Sequence, residues 1–101
     1  MYFKIPNTFD VLGRHWKVVL KKDLYKESEP ILGKVDYSEN IIYIQAPTEE
    51  CSLLPDNLFG IFLHELVHVI FYSLGLDEEC DDEGLVESIA GCLHQVINTH
   101  T

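Results

Sequence analysis

The sequence predicts an α+β domain. Two observations carry that expectation. Short runs of alternating and β-branched residues fill the first 45 residues, and from Pro55 onward the apolar positions recur with a helical period. A third is size: 101 residues leave room for a single domain spanning 1–101, able to bury about two-thirds of its unfolded surface. Strands followed by helices, rather than alternating with them, give a small sheet packed on helices.

The elements follow in order. Residues 15–21 form a strand, with Trp16, Val18 and Leu20 alternating against Lys17, Val19 and Lys21. After Pro30, residues 31–37 form a second strand. Ser38-Glu39-Asn40 is turn chemistry, and 41–45 is β-branched and aromatic, so the two make a hairpin that Pro47 ends. A helix over 55–74 starts with Pro55 in its first turn and Asp56 complementing its dipole, and Gly75 caps it. It is apolar almost all round, from Leu58 and Phe59 to Phe71 and Leu74, which makes it the buried spine. An acidic loop, 77–82, leads to a second helix over about 82–98. Leu85, Ile89, Cys92, Leu93, Val96 and Ile97 form its broad apolar face.

Composition narrows the class. With 47% hydrophobic and 24% charged residues, collagen-like, low-complexity and disordered readings are excluded. No apolar run reaches the ~18 residues that span a bilayer, so no membrane is expected. The start, Met1 to Asn7, lacks a secretory apolar region, which points to the cytoplasm. Cys51, Cys80 and Cys92 form no C-x-x-C pair, and reduced thiols used as small apolar fillers are expected. Charge is segregated. Residues 1–34 hold all seven basic residues and four acids, a charge of +3, whereas 35–101 hold thirteen acids and no Lys or Arg, a charge of −13. An acidic half repels phosphate, so no nucleic acid is expected as partner, and a divalent cation suits it better.

The chemistry lies in His64-Glu65-Leu66-Val67-His68, an H-E-x-x-H pattern inside the apolar helix. Residues four apart share a helical face, so both imidazoles can aim at one point. Two neutral imidazoles at that spacing suit zinc. Burying two His and a Glu on such a helix is costly unless they find partners, and a metal supplies them. Glu65, one residue round, is placed to take a proton from a zinc-bound water as general base. A third ligand is required. Phe71 and Leu74 stand where the metzincin pattern needs Gly and His, which leaves a carboxylate on the following helix. Glu83 and Glu87 are the candidates. Glu87, with Val86, Ile89, Ala90 and Leu93 around it, is preferred, and Glu83 in the first turn is the alternative. His94 lies too far along the helix to be a ligand, and His15 and His100 are expected to be ordinary surface histidines. Tyr72, His94 and Tyr43 are candidate oxyanion helpers, and the sequence does not choose among them.

Residues 62–68, Gly75-Leu76, the acidic loop and Leu85-Val86-Glu87-Ser88-Ile89-Ala90 together resemble small gluzincin-type metallopeptidases. The nearest kinds are the ImmA/IrrE-type domains and the short phage- and prophage-encoded proteins similar to them. The strands around Gly33-Lys34-Val35-Asp36 and Ile41-Ile42-Tyr43-Ile44 are similar too, so the likeness covers about residues 30–97. It implies a minimal zincin, with His64, His68 and Glu87 as zinc ligands and Glu65 as general base. It also implies a cytoplasmic peptidase acting on a peptide or protein, sometimes a repressor. Where those families carry a Glu-Ala-Asn-type run, this chain reads Glu87-Ser88-Ile89-Ala90. Zinc-dependent peptide-bond hydrolysis is the expected function. A zinc-stabilised regulatory or binding protein without turnover is the alternative, and a metal-free interaction module is a third reading.

Overall fold

The computed structural model describes residues 5–49, 53 and 55–99. Six strands precede three helices: β1 Thr8–Val11, β2 Arg14–Lys21, β3 Tyr25–Lys26, β4 Glu29–Pro30, β5 Gly33–Asp36, β6 Ile41–Gln45, α1 Pro55–Ser73, α2 Asp77–Asp81 and α3 Glu83–Thr99. The chain is α+β, with a mixed four-stranded sheet in the order β1-β2-β6-β5. The β1–β2 and β5–β6 pairs are antiparallel, and β2 runs parallel to β6. The small β3–β4 hairpin lies within the β2-to-β5 connection.

Turn chemistry sets the hairpins. Leu12 and Gly13, both at positive φ, form the two-residue β1–β2 turn, and Glu27 and Ser28 do the same between β3 and β4. Between β5 and β6, Asp36 Oδ1 accepts hydrogen bonds from Ser38 N, Ser38 Oγ and Glu39 N. The expected turn at 38–40 is therefore present, with Asn40 at positive φ completing it. The strand expected at 31–37 is shorter, and 15–21 and 41–45 match β2 and β6.

Inward-facing Trp16, Ile42 and Ile44 are fully buried and pack with Phe59, Phe62, Leu63, Val67 and Val69 of α1 and with Val86 and Ala90 of α3. The Phe9 ring stacks on Trp16 and meets Phe62 edge-on, tying β1 to the helix. At the end of α1, Gly75 N–H donates to Tyr72 O and Leu76 N–H to Phe71 O. This closure needs the left-handed conformation that Gly75 adopts (φ 73°).

Two expectations change. The acidic loop contains the one-turn helix α2, and Asp82 is the N-cap of α3, its Oδ1 accepting Leu85 N–H. More consequential is the rotation of α3. Leu85, Cys92, Leu93 and Val96, expected inside, are exposed, while Val86 and Ala90 are buried. The helix instead turns Glu83, Glu87 and His94 towards α1, where histidine and aspartate partners await them. Apolar pattern alone does not set rotation when polar pairs compete. Cys80 is buried as expected of a filler, Cys92 is not, and Cys51 and His100 lie outside the described residues.

Candidate metal centre

Helical spacing brings the His64 and His68 rings together, their centroids 5.2 Å apart. Glu83, in the first turn of α3, reaches both. Its Oε2 lies 3.1 Å from His64 Nε2 and its Oε1 3.0 Å from His68 Nε2. Donor atoms of these three residues all fall within 4.8 Å of one another, and among the described residues they are the one such convergence of three His, Cys, Asp or Glu. Ligand atoms of a tetrahedral zinc site, at about 2.0–2.1 Å from the ion, stand about 3.3 Å apart. The donor set and its spacing therefore fit zinc.

Glu87, one turn on, takes a different place from the one its sequence position suggested. Its Oε2 contacts His64 Nδ1 at 2.7 Å, on the side of the ring away from Glu83. Nor is it desolvated: the Glu87 and Glu83 side chains are 74% and 69% exposed. The physical reason is where α3 begins along its axis. With Asp82 as N-cap, Glu83 becomes the first helical residue, and its side chain leans back over the helix start, where both Nε2 atoms lie.

His64 thus has a carboxylate at each ring nitrogen. A neutral imidazole carries one N–H, so satisfying both contacts requires a positive charge on the ring, from either a second proton or a metal ion. If Nδ1–H donates to Glu87, the Nε2 lone pair is free for a metal, which is the arrangement that fixes a ligand's tautomer. His68 has a comparable support. Its Nδ1 lies 3.7 Å from Cys80 Sγ, the Cys80 thiol donates to His68 O, and Tyr37 OH stands 3.3 Å from the same sulfur. Burial, aided by that contact with Cys80, pushes the Tyr37 hydroxyl well above its ordinary range.

Glu65 is buried beside this cluster. Burial raises its pKa from 4.5 to about 7, with His64 opposing the rise and Glu83 and Glu87 adding to it. A Cβ at Gly33 would stand 3.0 Å from Glu65 Cγ and Oε2, so the start of β5 presses against this carboxylate only because the residue there is glycine. A cleft of about 550 Å³ opens between this strand and the two long helices, with His64, Glu65, Glu87 and His94 in its wall.

Of the three candidate oxyanion helpers, only His94 lines this cleft. Asp56 Oδ1 accepts hydrogen bonds from His94 Nε2 and from Asn98 Nδ2, both at 3.0 Å, and these bonds hold the Asp56 carboxyl below its usual pKa, Asn98 first. Gly60 makes room for the ring, since a Cβ there would lie 3.0 Å from His94 Cε1. Tyr72 packs on Tyr37, with Arg14 at 6.0 Å from its ring. Tyr43 lies between Lys21 and Lys34 on the sheet. His15 is an exposed surface residue paired with Asp10. Sequence reasoning missed the Cys80–Tyr37 support and the Asp56–His94 pair, because both join residues far apart in the chain with no local pattern.

Comparison with protein-family models, curated proteins and solved structures returns no match. No helix among the described residues is long and apolar enough to cross a membrane.

Proposed function

We propose that this chain is a minimal zincin that hydrolyses peptide bonds, with His64, His68 and Glu83 holding zinc and Glu65 as general base. The double contact at His64 supports this best: a histidine with a carboxylate at each ring nitrogen is built to share positive charge. Zinc, when bound, would acidify a water molecule and polarise the scissile carbonyl. Glu65, whose pKa of about 7 suits proton transfer near neutrality, takes the water's proton and passes it to the leaving amine. Glu87 holds the His64 tautomer, and Cys80 backs His68. The cleft receives the peptide, and the His94 ring, steadied by Asp56, supplies a polar group in its wall. A third ligand drawn from the following helix agrees with the gluzincin resemblance, with Glu83 in place of Glu87. The free Cys80 and Cys92 thiols suit a cytoplasmic setting, and a peptide or protein is the substrate class.

The test is a screen with a fluorogenic peptide library, using untagged protein reconstituted with zinc. Cleavage that chelation and Glu65→Gln both abolish supports the proposal. Full zinc occupancy with no cleavage across the library would favour the regulatory reading, in which the metal stabilises the domain without turnover.

A further inference from the structure

We propose that the outward face of α3 is the contact surface of an antiparallel homodimer, in which Leu85 and Ile89 of one chain meet Val96 and Cys92 of a second copy. Positions 85, 89, 92 and 96, separated by four, three and four residues, fall in one line along the helix, the spacing of a helix-pairing seam. Leu85 is 36% and Val96 64% exposed, Cys92 is exposed between them, and Leu93 beside the line is 38% exposed. Val86 and Ala90, on another side of the helix, fill the core, and Ile89 borders it. The line itself stays uncovered among the described residues.

Charge selects the occupant. Residues 35–101 hold thirteen acids and no Lys or Arg, yet the line and its exposed flanks Ser88, Gln95 and Thr99 carry no charge. The two carboxylates of α3, Glu83 and Glu87, are turned to histidines of α1. A partner recognised by charge would meet no opposite group here, whereas a neutral line meets its own copy with no like charges in contact. Two-fold symmetry then fixes the register. Positions 85 and 96, like 89 and 92, are equidistant from an axis between 90 and 91, so each pairing is made twice, as an isologous contact requires. Antiparallel packing also holds the two acidic α2 helices at opposite ends of the pair, roughly 20 Å apart and beyond the Debye length of about 8 Å. Parallel packing would set them side by side. The 17 residues of α3 make a strip about 25 Å long. Burying one face of it on each copy gives roughly 1,000 Å² in total, the low end for a specific interface, so the dimer is weak and concentration-dependent. The cleft takes Glu87, Ala90, Gly91 and His94 from α3 and no residue of the line, so dimerisation leaves it open.

Sedimentation equilibrium of the whole protein, over about 5–300 µM chain in ~150 mM salt, tests the dimer. A monomer–dimer equilibrium that Val96→Glu weakens roughly tenfold or more is expected, because the substitution sets a carboxylate in each half of the contact. Leu20→Glu makes the same kind of change at a 53% exposed leucine of β2, and it should alter dimerisation by less than about twofold. A monomer at every concentration would overturn the proposal, as would equal weakening by both variants or none by Val96→Glu. Orientation is read by diamide oxidation in a Cys51→Ser/Cys92→Ser background. Chains carrying Leu85→Cys should cross-link to chains carrying Val96→Cys, and neither should cross-link to itself. Self-cross-linking of the Val96→Cys chain in preference to the mixed product would mean parallel packing and overturn the register.

Discussion

Glu65→Gln should make the metal-free protein more stable, and by an amount that depends on pH. The fold raises the Glu65 pKa from 4.5 to about 7, chiefly by burial. The folded state therefore holds this proton more strongly than the unfolded chain does. Between those two values each pH step removes stability, above pH 7 the full penalty is present, and below pH 4.5 there is none. At 1.36 kcal/mol for each tenfold change in proton affinity, keeping the carboxylate ionised in the fold costs about 3 kcal/mol at pH 8. Glutamine keeps the shape without the charge. In chelated protein at pH 8 the variant should gain about 2–3 kcal/mol, a melting shift of about 8 °C or more for a domain of this size. The gain should shrink to nothing by about pH 4. Trp16, the one tryptophan and fully buried, reports unfolding in urea. With zinc restored, the same variant should keep its metal while hydrolysis falls by at least ~10². A variant no more stable than the parent at pH 8, or a gain that does not vary with pH, would refute this account of Glu65.

Glu83→Ala should weaken zinc binding by about a hundredfold or more, and Glu87→Ala by about tenfold, since in the proposed centre the first removes a ligand and the second only the partner of His64 Nδ1; chelator competition gives the order. Gly33→Ala should destabilise by about 1–3 kcal/mol, against the usual gain from replacing glycine, because its methyl meets Glu65 and Ile61 at 3.0 Å; urea unfolding gives the sign. Asp56→Ala should lower the melting temperature at neutral pH by releasing His94 and Asn98. The Asp56 pKa is depressed in the fold, so that difference should persist above pH 3.8 and vanish as pH falls through the lower folded value, which a melting series across pH detects.

Much of the fold was legible because it is local. The 38–40 turn, the hairpin it closes, the helix from Pro55 and its Gly75 cap all follow from residue types at fixed offsets. Strand β1 and the parallel pairing of β2 with β6 were not legible, since pairing partners depend on contacts across the chain rather than on pattern. The site divides the same way. His64, Glu65 and His68 lie on one helix, and spacing alone placed them together. The choice between Glu83 and Glu87, which share a face, depended on where α3 starts along its axis, and the apolar stripe of Leu85, Cys92, Leu93 and Val96 separately misled on which side of the helix turns inward. The side that turns inward combines buried Val86 and Ala90 with the contacts of Glu83, Glu87 and His94 to α1, a mixed polar and apolar set that no periodicity announces.

X-ray absorption at the zinc edge, on untagged protein reconstituted and desalted, tests the metal centre most directly. One equivalent of zinc should be bound, with nitrogen and oxygen neighbours at about 2.0–2.1 Å and outer-ring scattering from two imidazoles. Glu83→Ala should remove an oxygen neighbour while leaving both imidazoles in place. Well under half an equivalent of metal, or a sulfur neighbour at about 2.3 Å drawn from Cys80, would contradict a centre made by His64, His68 and Glu83.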